Sequence, residues 1–205
     1  MGLFLSVDQP SAWVRRFSAL FKPGGKVLDV ACGSGRNLRW LVSHGFDVTG
    51  VDRDAAAVEP LRTSAEVVVA DIEAEAWPLG GRRFDAVVVT NYLWRPLWPT
   101  LRAALTDQGV FIHETFAVGQ QLIGKPSRPE FLLRNGELLQ ACSGLRVVAF
   151  EDGFEAAAQR YVQRIVAVNA PAAAADWPRY PLDAELDSRP GNPGNPRKGA
   201  TGSRV

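Results

Sequence analysis

Val27-Leu28-Asp29-Val30-Ala31-Cys32-Gly33-Ser34-Gly35-Arg36-Asn37 is the stretch that decides the architecture. Residues 26–31 form a short apolar run with one acid in it and read as a strand. A turn of small residues follows. Residues 36–44 then place Leu38, Leu41 and Val42 on one helical face, with Gly45 where a helix ends in a left-handed residue. Small residues in such a turn let a ligand approach the backbone, and the helix start offers unpaired N–H groups.

The pattern repeats on both sides. Upstream, residues 11–21 carry Trp13, Val14, Phe17, Leu20 and Phe21 at helical spacing behind Ser11, a natural N-cap. Downstream, residues 47–51, 65–70, 84–89 and 110–114 read as strands. Helices are expected over 54–61 and from Leu97 through Leu105 to a stop at Gly109. Asn135 is expected to cap a helix through Ala141. Residues 145–150 and 160–168 read as two final strands that pair antiparallel. Strands alternating with helices predict an α/β fold with a doubly wound, mostly parallel, seven-stranded sheet and a C-terminal antiparallel strand pair. Residues 117–130 form a long Gly- and Pro-bearing loop of the kind that serves as a lid. From residue 170 the composition turns to Ala, Pro, Gly, Asn and basic residues, so 1–169 reads as one domain and 170–205 as a flexible tail.

Bulk properties narrow the function. The chain has 205 residues, 46% of them hydrophobic and 22% charged, which suits a single buried core. Lys and Arg total 23 against 22 Asp and Glu, a net charge of +1 that disfavours nucleic acid as the main partner. Cys32 and Cys142 stand alone, so neither a disulfide framework nor a zinc site is expected, and no metal. No apolar run approaches a membrane span, and residues 1–5 lack the basic flank of a signal peptide. The expected location is the cytoplasm.

Three acids follow or sit in three successive strands: Asp29, Asp52 and Asp71. A dinucleotide loop wants a third glycine, and counting from Gly33 that place holds Leu38. A nucleotide-dependent oxidoreductase is therefore disfavoured. Leu28 to Gly35 resembles motif I of the class I S-adenosylmethionine (SAM)-dependent methyltransferases, with Ala31 where that family usually has Gly. The similarity runs over about residues 11–168 and includes the final antiparallel pair. Gly35-Arg36-Asn37 resembles, more weakly, the small tellurite-resistance and thiopurine-type members.

The resemblance implies a Rossmann-like methyltransferase fold and an enzyme that moves a methyl group from SAM, with S-adenosylhomocysteine (SAH) as product. It implies a cofactor set of Asp29, Ala31, Cys32, Gly33, Gly35, Asn37, Asp52, Arg53, Asp71, Ile72 and Asn91. Asp29 would meet the ligand's ammonium, Asp52 the ribose hydroxyls and Asp71 the adenine amino group. Cys32 reads as a small filler, since transfer to a bound acceptor needs no enzyme thiol. Tyr92 and His113 are the candidate catalytic bases, with Glu114 beside His113 at the same strand end. Trp94 and Arg95 are candidate substrate contacts, Trp13 and Arg16 a candidate cover, and Lys125 and Arg128 candidate lid cations. The Asp/Asn-Pro-Pro-Tyr motif of base or glutamine amino methylation is absent. A small-molecule acceptor is favoured. An RNA or protein methyltransferase, supported only by the basic tail, and a non-catalytic SAM-fold binding partner stand as alternatives.

Overall fold

The computed structural model describes residues 9–170 and 178–183. Twelve elements carry the fold, in chain order: α1 (Ala12–Phe17), β1 (Lys26–Val30), α2 (Arg36–Ser43), β2 (Asp47–Asp52), α3 (Ala55–Val58), β3 (Glu66–Val69), β4 (Phe84–Thr90), α4 (Trp98–Ala103), β5 (Leu105–Phe116), α5 (Glu137–Ala141), β6 (Arg146–Glu155) and β7 (Arg160–Val168). The seven strands form one sheet in the order β3-β2-β1-β4-β5-β7-β6. β1 to β5 pair in parallel, while β7 runs antiparallel between β5 and β6. The strand order reverses between β1 and β4, and such a switch point opens a crevice at the carboxyl ends of the strands.

Strand alternation splits the core into two layers. Val27, Val48, Ala86, Val88, Ile112 and Val166 face α1 and α2, packed with Trp13, Phe17, Leu38 and Leu41. Leu28, Val30, Val51, Val87, Phe111 and Ile165 face α4 and α5, packed with Leu101 and Leu138. Ser11 Oγ accepts from the Trp13 and Val14 amides and caps α1. α2 ends as expected: Gly45 is left-handed, its N–H bonds Val42 O, and Phe46 N–H bonds Leu41 O.

Three local expectations change. The helix after β4 stops at Ala103, and Leu105 already pairs with Phe84 in β5. Gln108 takes a left-handed φ of 62° and the β4–β5 register shifts, so Gly109 lies in an irregular strand and not at a helix end. α5 begins at Glu137 with left-handed Gly136 in the N-cap place, and the Asn135 side chain donates to Asp152 instead of capping the helix. In the tail, residues 178–183 pack back on the domain: Tyr180 donates to Gln108 and lies under Arg146, and Leu182 O accepts from Arg16. The rest of the expected tail lies outside the described residues. Among the described residues no helix is long and apolar enough to cross a membrane.

Candidate functional site

The glycine turn after β1 is held in left-handed backbone at Ala31, Gly33 and Gly35 (φ 52°, 52° and 79°). Its glycines have different reasons. A Cβ on Gly33 would meet nothing within 4 Å, so the loop presents bare backbone to the cleft. A Cβ on Gly35 would lie 2.6 Å from Leu61, so that residue serves packing. Gly50 in β2 lies under Leu38 and Cys32, with Cβ contacts of 2.7 and 2.9 Å. The close helix–sheet approach that a dinucleotide loop obtains from its third glycine is obtained here from the strand side.

Two lobes open at the carboxyl ends of the strands and share Ala31, Asn91 and Tyr92. The smaller, about 370 Å³, runs from Asp52, Arg53, Asp71 and Ile72 to Phe116 and Phe131. The larger, about 730 Å³, runs from Ser11, Gly33 and Arg36 past Thr90 to Glu114 and Arg160. Asn91 forms the joint in a left-handed conformation (φ 55°), which Asn tolerates, and its N–H bonds Glu114 O.

The three acids are placed differently. Asp29 is 1% exposed behind the turn, and among the described residues neither oxygen has a hydrogen-bond partner of good geometry. Burial pushes its carboxyl up to about 7, against the opposing pull of the Arg36 guanidinium and the Leu38 amide. Asp52 Oδ2 accepts the Gly33 N–H at 2.7 Å and Oδ1 the Asp54 N–H at 2.9 Å, so this carboxylate fixes the turn at the edge of the cleft. Asp71 accepts from the Glu73 N–H, with Arg53 4.0 Å away.

The opposite wall comes from β5, β7 and β6. Glu114 is 1% exposed. Its Oε1 accepts from Ser11 Oγ (3.3 Å) and Arg160 (3.2 Å), and its Oε2 has no hydrogen-bond partner among the described residues, with Arg164 at 3.6 Å. Glu155 and Glu151 complete a ladder with the same two arginines. Sequence reasoning passed over Arg160, Arg164, Glu151 and Glu155. The available signal was two arginines on the strand face that otherwise carries Val162, Val166 and Val168.

Other candidates fall elsewhere. His113 lines neither lobe. It points to the opposite face from Glu114, edge-on to Trp98 and Phe111, with Nε2 on Tyr92 O. Burial lowers it to about 4, so it is a neutral core histidine and not a base at the site. Tyr92 lines both lobes, but burial, with Glu73 nearby, raises its phenol, leaving a donor and not a base. Cys32 lines the larger lobe as a thiol, raised by burial and by Asp29. Asn37 lies below the cleft, accepting from Ser11 N–H and donating to Thr90 Oγ1, and so ties the start of α1 to the end of β4. Trp13 is core, and Arg16 lies over Trp13 and Phe17. Arg95 clamps Glu137 and the carbonyls of Glu130 and Leu132, holding segment 129–137 as a fixed wall, and Arg128 pairs with Glu130. Trp94 packs partly buried in the α4 layer. Among the described residues no cluster of His, Cys, Asp and Glu could hold a metal ion.

Residues 27–108 match the family model of a methyltransferase domain. No curated protein matches the chain. Its fold is similar to TehB from Haemophilus influenzae (17% identity, TM-score 0.59), over 70% of this chain and only 57% of the length of TehB. It is similar to a TehB-like SAM-dependent methyltransferase from Corynebacterium glutamicum (22%, 0.55, covering 75% and 85%). It is also similar to the glycopeptide N-methyltransferase MtfA complexed with SAM (20%, 0.56, covering 78% and 94%). At these identities the likeness establishes the Rossmann-like methyltransferase fold.

Proposed function

We propose that this chain, which carries a methyltransferase domain over residues 27–108, binds SAM across the two lobes and transfers its methyl group to a small-molecule acceptor. The observation that carries the reading is the pairing of an open Gly33 with a buried Asp29 behind it, whose oxygens have no hydrogen-bond partner of good geometry among the described residues. A buried carboxylate without a partner is costly, and a ligand ammonium, directly or through a water, relieves it. The residues present therefore fit the cofactor. Asp52 holds the ribose hydroxyls with lone pairs its two backbone contacts leave free, Asp71 and Ile72 hold the adenine, and Asn91 stands at the joint between the lobes. Arg36, at the start of the eight-residue helix α2, suits the carboxylate end.

When bound, SAM supplies a methyl group on a sulfonium sulfur, an arrangement that already leaves well. The chain's part is to hold cofactor and acceptor in line, an effect worth roughly 7–11 kcal/mol. Tyr92, kept protonated, donates a hydrogen bond at the junction. The charge balance of the chain supports a small acceptor. Calorimetric titration with SAM and, separately, NAD tests the reading. SAM alone is expected to bind, and binding of NAD alone overturns it.

A further inference from the structure

The lobe that would receive the acceptor carries one group the cofactor does not need. Glu114, near the end of β5, lines the larger lobe and is 1% exposed, yet its Oε2 has no hydrogen-bond partner among the described residues. Resting on the methyltransferase reading, we propose that Glu114 is a catalytic residue that binds an amine nitrogen of the acceptor and takes its proton.

The charges of the wall select the acceptor class. Arg160 and Arg164 are the cations a soft oxyanion or a thiolate would seek there. Both are already held: Arg160 by Glu155 at 2.5 Å and Glu114 at 3.2 Å, Arg164 by Glu151 at 2.7 Å and Glu155 at 3.2 Å. Three carboxylates, Glu114, Glu151 and Glu155, hold these two guanidiniums, so this wall offers an entering anion no free cation, and Arg36 across the lobe is taken by the cofactor carboxylate in this reading. An N–H donor meets Oε2, which is buried, 3.6 Å from Arg164 and without a hydrogen-bond partner among the described residues. Ser11, whose hydroxyl donates to Oε1, fixes the carboxylate from the side of α1. In the transfer the nitrogen lone pair forms the new N–C bond. The C–S bond breaks with its electron pair remaining on sulfur, and the surplus N–H proton passes to Glu114 Oε2 and then to solvent.

The test uses the full chain and three probes: phenethylamine, 2-phenylethanethiol and selenite, each with methyl-labelled SAM. Label is expected in the N-methyl amine. Label only in the thiol or selenite product, or in none, overturns the proposal. Calorimetry of the SAH-saturated protein with phenethylamine gives a second readout. Glu114→Gln is expected to weaken amine binding at least tenfold and kcat about 100-fold, with SAH affinity within twofold of wild type. Unchanged amine affinity overturns it. Glu114→Asp keeps the charge and withdraws it by one methylene, and it shows the same split if the Gln variant does not fold. Failure of the wild-type chain to bind SAH at all is a different result, the failure of the methyltransferase reading itself.

Discussion

The two halves of the cleft are built by different means. The half formed by β1, β2 and β3 is local: the Gly33–Asp52 bond spans 19 residues, and the turn needs only the next strand end to complete it. The half formed by β5, β7 and β6 is assembled at long range: Ser11 meets Glu114 across 103 residues, and Arg160 meets it across 46. The first half is a small-residue loop whose shape the backbone dictates. The second is a ladder of ion pairs whose members acquire meaning only once the antiparallel strands are laid side by side.

The largest effect should come from the long-range half. Replacing Arg160 by alanine removes one cation from a carboxylate that is almost wholly buried, a loss of about 3 kcal/mol of stability by denaturant titration. If the halves are as separate as they look, SAM affinity stays within twofold. A large loss of SAM affinity would erase the distinction.

His113 supplies the next effect, on the face away from the site. Its pKa falls from 6.5 to about 4, so the unfolded chain binds the proton more readily. The stability from its neutral form is complete above pH 6.5 and is lost as pH falls towards 4, on the order of 3 kcal/mol. Asp29, raised from 3.8 to about 7, works in the opposite direction: stability is lost as pH rises from about 4 to 7. The His113 contribution is therefore read as the wild-type curve minus that of His113→Leu, and an unchanged difference between pH 7 and 4.5 would contradict it.

Asp29→Asn sharpens the local half. It should weaken SAM by about 1.5–3 kcal/mol, the scale of a hydrogen bond to a charged group, while raising the melting temperature of the free protein at pH 8. In the wild type, SAM affinity should rise with pH up to about 7 as the carboxylate ionises. The smallest effect concerns the turn. Ala31 holds a left-handed φ that costs a Cβ about 1–2 kcal/mol, partly offset by the entropy of glycine. Ala31→Gly should stabilise by about 0.5 kcal/mol in thermal unfolding.

The same contrast explains what could be read from the sequence. The sheet, its order of strands and helices, the antiparallel pair and the positions of Gly33, Asp52 and Asp71 all follow from periodicity and from short spacings. His113 shows where that reading stops. Two adjacent residues at a strand end must face opposite ways, and only the packing of α1 and α2 on one side and Trp98 on the other decides that Glu114 faces the cleft. The stop at Ala103 and the irregular start of β5 depend on the pairing of Leu105 with Phe84, a contact that helical spacing does not encode.

The most direct measurement is a crystal structure of the protein with SAH. The account predicts the adenosine beside Asp52 and Asp71, the amino group over Asp29, and the thioether at the joint of Ala31, Asn91 and Tyr92, with the larger lobe left open beside Glu114. SAH bound elsewhere, or Asp29 still without a partner in the complex, would contradict it.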